Sequence, residues 1–201
     1  MEIIRDRESN YYLEKAKWLG NAFTVIDENN NKYYYEFIPS NLEALIKSND
    51  LKYIEEAIDE YRIYNKHITK FKTANNEFFK AFDDLFTFKL PLNCIQPSSF
   101  FVDLKKIELF EEYINPDEVY LPVAIINDEY VLLDHHNLLY FLNKCNQKLV
   151  NVFITDYEQY INDFVYLAKE NNILNVKGLR PLKHEEYEKY MKDFYDEYFN
   201  Y

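Results

Sequence analysis

Two glycines in 201 residues set the first limit on what this chain can fold into. Glycine takes positive φ without steric cost, so closed barrels, β-sandwiches and Gly-rich phosphate loops, which all turn on such positions, are disfavoured. Tight turns must be made by Asn and Asp, the residues that best tolerate the left-handed region after glycine. The core must be largely aromatic, because 20 Tyr and 16 Phe contribute to a hydrophobic fraction of 48%. Many Tyr hydroxyls then need partners or water. The length suits one large domain or two small ones, and two are expected.

The net charge is −12, with the larger share in the second half of the chain. A field of that sign repels nucleic-acid phosphates at long range, so direct nucleic-acid binding is not expected. Cys94 and Cys145 lie far apart and in no metal-like spacing, which reads as two free thiols in a reducing compartment. No apolar leader opens the sequence, and no apolar run reaches membrane-spanning length. The expectation is a cytoplasmic protein that does not engage a membrane.

Periodicity and turn chemistry divide the chain into modules. Residues 9–19 form an amphipathic pattern with Tyr12, Ala16 and Leu19 on one stripe and Gly20 as the stop. Residues 22–26 and 32–38 read as a hairpin across the Asn-rich turn 27–31. From Asn41 to Phe88 the spacing predicts helices, with stripes Leu42/Leu45/Ile46, Leu51/Ile54/Ile58/Tyr61 and Phe78/Phe79/Phe82/Leu85/Phe86. Ser40 or Asn41, and Asn49 or Asp50, are their expected N-caps. Residues 1–90 are therefore predicted to be a hairpin packed by helices, and the aperiodic, proline-containing stretch 90–99 to be the linker.

The second module, residues 91–201, begins with a helix capped by Asp103 and ended by Asn115-Pro116. A hairpin, 121–126 and 129–133, turns at Asn127-Asp128. A helix from His136 to Lys144, a returning strand at 149–154 and two final helices, 157–171 and 183–199, complete an α+β fold with a small mixed sheet.

Chemistry concentrates at Asp134-His135-His136-Asn137, where strand gives way to helix. Helix N-termini attract anions, and two of the four histidines sit here. Asp134 is expected to cap the helix by accepting N–H bonds two or three residues on, and adjacent His135 and His136 point too far apart to share one ligand squarely. If the chain is an enzyme, Asp134 and His136 are the candidate catalytic acid–base pair. His67 and His184 are remote, and no third or fourth ligand falls at short spacing, so no metal site is expected and no cofactor is specified.

Residues 93–155 resemble the ParB/sulfiredoxin superfamily. The resemblance rests on Ile95-Gln96-Pro97-Ser98, the Asp103 helix, Leu121-Pro122-Val123-Ala124-Ile125, Tyr130-Val131-Leu132-Leu133 and Asp134-His135-His136-Asn137-Leu138. ParB-like members commonly carry Asp-Gly-His-x-Arg at this last position, around a nucleotide phosphate. Asp134 and His136 match that pattern, whereas His135 stands for Gly and Leu138 for Arg, so the motif is degenerate. No Cys stands at the motif before His136 to serve sulfiredoxin-type chemistry, and the Arg-rich box and basic helix-turn-helix of chromosome-partitioning members are absent. The resemblance implies a ParB-like N-terminal-domain fold that holds a nucleotide or another phosphate ligand weakly, with Gln96, Ser98, Ser99, His135, His136 and Asn137 as its ligand-binding residues.

Two functional classes follow. The first is a degenerate ParB-like binding protein. The second is an acidic, Tyr-rich module that docks on a basic protein partner, as an interaction surface or as a nucleic-acid mimic that inhibits a nucleic-acid enzyme. Nucleotide or phosphodiester hydrolysis ranks behind both, since the charge and the absent Arg count against it.

Overall fold

Asparagine does the work that the scarce glycines leave undone. A computed structural model of the chain describes residues 1–199, and in it Asn30, Asn41, Asn76, Asn127, Asp128, His135, Asn146 and Asn172 all have positive φ, alongside Gly20. The chain divides into two compact units, Met1–Leu85 and Phe86 onward.

The first unit contains β1 (Glu2–Arg5), α1 (Glu14–Leu19), β2 (Ala22–Ile26), β3 (Lys32–Ser40), β4 (Glu43–Ser48), α2 (Ile54–Tyr64), β5 (Lys70–Thr73) and β6 (Phe78–Ala81). All six strands form one sheet in sequence order. Neighbours are antiparallel except β4 and β5, which run parallel because α2 crosses over between them. The apolar stripe of α2, Ile54, Ala57, Ile58 and Tyr61, packs on Phe23, Phe37, Ile46 and Phe71 of the sheet. Tyr61 stacks on Phe37 with ring centroids 4.2 Å apart, so the aromatic composition becomes the core itself.

This unit holds more strand than its periodicity predicts. Leu42, Leu45 and Ile46 fit a helical stripe, but Ala44 and Ile46 alternate inward along β4. Asn41, at φ 53°, makes a tight turn that sets Ser40 opposite Glu43. It therefore starts a strand rather than capping a helix. Phe78 and Phe79 belong to β6, not to a helix. The N-cap position of α2 is Tyr53 and has no side-chain cap, while the Asp50 carboxylate accepts instead from the Lys52 N–H.

The second unit contains β7 (Thr87–Pro91), β8 (Ile95–Pro97), β9 (Phe101–Asp103), α3 (Leu104–Tyr113), β10 (Tyr120–Ile126), β11 (Glu129–Leu132), α4 (His136–Lys144), β12 (Leu149–Ile154), α5 (Ile161–Glu170), β13 (Arg180–Leu182) and α6 (His184–Phe199). Five strands form a mixed sheet in the order β7-β12-β10-β11-β8, and β13 pairs with β9 in a separate parallel ribbon. The β10–β11 turn has Asn127 at φ 50° and Asp128 at φ 63°, two left-handed residues as a tight right-twisting hairpin requires. β12 returns parallel to β10 after α4.

The expected linker at 90–99 is structured instead. It supplies the end of β7 and all of β8, the two edge strands of the sheet. Pro91 and Pro97 fit there because an edge strand has one side with no ladder bond to donate. The unit boundary accordingly falls between Leu85 and Phe86 rather than after residue 90. Among the described residues, no helix is long and apolar enough to cross a membrane.

Exposed Asn41 offers a test of the turn chemistry. Asn41→Gly should raise the stability of the first unit, and Asn41→Val should lower it by about 1 kcal/mol, because a β-branched residue is strained at positive φ. Urea unfolding midpoints of the two variants against wild type read the difference.

Candidate functional site

The strand-to-helix junction is a set of internal ties. His135 occupies the N-cap position of α4 in the left-handed conformation, φ 69° and ψ 31°, and makes no side-chain cap bond. Asp134, the expected cap, therefore lies one residue ahead of the cap position and does not cap the helix. Its Oδ1 accepts from the N–H of the next residue, His135, at 2.6 Å, and its Oδ2 lies 3.4 Å from His135 Nδ1.

His136 begins the helix and is half-buried. Its Nε2 accepts the Ser98 backbone N–H at 3.0 Å. A ring nitrogen that accepts carries no proton, so the imidazole is neutral with its hydrogen on Nδ1. Ser98 Oγ donates to the Leu132 carbonyl at 2.7 Å, which spends its one hydrogen; its 3.3 Å approach to His136 Nε2 is then a contact between two acceptors. Burial holds the His136 pKa down at about 4 from an ordinary 6.5, against the opposing pull of Asp134. Desolvation is the main cause of that neutral state. The lone pair that a general base would use is committed to Ser98.

The other junction residues are similarly engaged. Gln96 is buried, and its Nε2 donates to the Pro97 and Ile173 carbonyls at 2.8 and 2.7 Å. Asn137 Oδ1 accepts the Asp103 backbone N–H at 2.7 Å. Ser99, next along the chain from Ser98, is half-buried. The structure thus brings Ser98 to His136 but sends Gln96 to Ile173 and Asn137 to Asp103.

Asp103 opens a second cluster. Its side chain is fully buried and caps α3, with Oδ1 accepting the Lys105 N–H at 3.0 Å. The other oxygen, Oδ2, meets His184 Nδ1 at 2.8 Å. The β13–β9 ribbon sets Leu182 opposite Asp103 and so delivers the start of α6 to this point. Glu188 follows one helical turn after His184, and ligand atoms of Asp103, His184 and Glu188 lie within 4.8 Å of one another. The N-terminal ends of α3 and α6 are thereby joined through the Asp103 carboxylate, where helix dipoles favour negative charge, and α4 is tied to the same residue through its backbone N–H.

Asp103 and His184 are 81 residues apart, so no short ligand spacing in the sequence marks this cluster. The signal within reach was His184-x-x-x-Glu188, a pair that shares one face of a helix.

No protein-family model matches the chain, and no curated protein matches it. Among solved structures, it is similar to the crystal structure of protein Atu1540 from Agrobacterium tumefaciens, at 17% identity and a TM-score of 0.35 over 48% of this chain. The match spans 62% of the length of that chain.

The depressed His136 pKa has a definite sign in stability. The unfolded ring takes up a proton near 6.5, and the folded ring refuses it until about 4. The contribution is complete above pH 6.5 and is lost as pH falls through that window. Allowing for the ring's partial exposure, the loss is on the order of 2 kcal/mol. His136→Gln keeps an acceptor for Ser98 but does not titrate, so wild type should lose that much more stability than the variant as pH is lowered across the window. Denaturant unfolding at matched pH values measures it.

Proposed function

We propose that the second unit is a degenerate ParB-like binding module that takes a phosphate-bearing small ligand at the start of α4, and that it works by binding rather than catalysis. The observation that carries this reading is the left-handed His135 at an N-cap position with no side-chain cap. A left-handed residue followed by helical ones turns successive N–H groups toward one side, an arrangement that favours anions. The order of elements supports the ParB-like reading: an entry strand at β8, the α3 helix, the β10–β11 hairpin and then α4.

His135 also stands where the resembled motif has glycine, and its φ of 69° is one that glycine adopts freely. Its side chain both strains the backbone and restricts approach to the helix end. Binding rather than catalysis follows from His136, whose Nε2 is held by Ser98.

The test is a thermal-shift screen with the four common nucleoside triphosphates and inorganic pyrophosphate. A ligand at ten times its Kd should stabilise wild type by about 1.4 kcal/mol. His135→Gly should retain or strengthen the shift, and His135→Asp should abolish it by placing a carboxylate at the helix end. A flat response of wild type to every compound sinks the reading.

A second reading, docking on a basic protein, draws on the exposed Tyr157, Tyr160 and Tyr166 with Glu158 and Glu170 among them. It predicts binding to a purified basic partner that weakens with added salt and is reduced in Tyr166→Ala; salt-independent binding speaks against it.

A further inference from the structure

We propose that Asp103, His184 and Glu188 form a divalent metal site for Zn2+ or Mn2+, distinct from the phosphate-binding reading of α4 and not dependent on it. One oxygen of each carboxylate and one ring nitrogen already lie within 4.8 Å of one another. Ligands bonded to one such ion at about 2.0–2.2 Å are separated by no more than about 4.4 Å. A small rotation of the exposed Glu188 side chain closes that remainder.

The three groups are presented as a site and not as a chance surface cluster. Asp103 is 0% exposed, and its Oδ1 and backbone N–H are fixed by Lys105 and Asn137. Its Oδ2 is thereby aimed at His184, the kind of outer hydrogen bonding that orients metal ligands. His184 and Glu188 are one turn apart on α6, the spacing that lets two helical residues share one ion. Behind them Tyr190 packs on Phe100 and Phe101, and Phe194 packs on Phe164, which fixes the helix against the unit.

Charge points the same way. Without a cation, the Glu188 carboxylate stands beside a fully buried carboxylate of the same sign. No hydrogen-bond or ion-pair partner offsets the Glu188 side chain among the described residues. A divalent ion neutralises both carboxylates. Where it takes His184 Nδ1, it replaces the proton shared with Asp103 Oδ2, and that proton leaves to solvent. One imidazole nitrogen with two carboxylate oxygens suits Zn2+ or Mn2+ better than the all-oxygen shells of Mg2+ and Ca2+. Burial falls from Asp103 through half-buried His184 to exposed Glu188, so the ion enters from solvent and keeps open positions on that side.

The experiment is calorimetric titration of metal-free, full-length protein with Zn2+ and, separately, with Mn2+, in excess Mg2+ and with no nucleotide present. Melting temperature is followed in parallel. The expected result is a single saturable site for at least one of the two ions, a raised melting temperature, and at least tenfold weaker binding in both His184→Ala and Glu188→Gln. Glu188 is exposed, so Glu188→Gln decides the matter even if His184→Ala loses its fold. Wild type without saturable binding, or a Glu188→Gln variant that binds both ions as tightly as wild type, overturns the proposal. Because the titration contains no phosphate ligand, its outcome is independent of the nucleotide screen.

Discussion

The buried carboxylate of Asp103 is the point on which the second unit is assembled. It caps α3 through Oδ1 and meets His184 at the start of α6 through Oδ2, while its backbone N–H is bonded to Asn137 near the start of α4. A fully buried carboxylate is costly unless its lone pairs are satisfied. The local positive ends of the helices and the His184 contact meet that demand, and in doing so they fix where the helices begin. The short β9–β13 ribbon contributes little pairing of its own, with three matched positions. Its main role is to set the register that puts Leu182 beside Asp103, and hence His184 within hydrogen-bonding distance of it.

A second constraint comes from the turns. With glycine nearly absent, each left-handed position among the described residues except Gly20 depends on an Asn, an Asp or, once, a His. Asn adapts to this because its short amide bonds locally and tolerates the conformation. His135 has no such compensation from the cap position, since its side chain makes no cap bond. The strain at that residue is therefore localised where α4 opens, and it marks the junction apart from the ordinary Asn turns elsewhere in the chain.

What could be read from the sequence was what is local. The Asn127-Asp128 hairpin, the Asp103 cap, the span His136–Lys144 and the Gly20 stop each follow from a few adjacent residues, and each is present. The α+β class follows from them. The strands β4 and β6 were hidden because apolar residues at i, i+3 and i+4 also arise in short strands. For β4 the deciding fact, its pairing with β5 across the α2 crossover, lies far away in sequence, whereas β6 pairs with its neighbour β5 across the short turn at Asn76. The edge strands β7 and β8 were hidden by their prolines, which read as breakers until the sheet order places them at its rims. Of the candidate site, the Asp134–Asn137 cluster was visible as an unusual string of residue types. Nothing in that string said that His136 and Asn137 bond to Ser98 and Asp103, and the Asp103–His184 contact has no local signature at all.

These ties separate two roles that a motif would merge. His136 and Asn137 are needed as acceptors for Ser98 and Asp103 whether or not a ligand is present, and Gln96 and Ser98 are needed as donors to carbonyls. The polar residues that make the junction look like a binding site are thus explained by the architecture. Positions 135 and 138 are in a different situation: no tie found at the junction uses the Leu138 side chain, and the backbone of His135 would be better served by glycine. On α6 the balance is different. Among the described residues no hydrogen bond requires Glu188, yet it stands one turn from His184 and beside the most buried carboxylate of the unit.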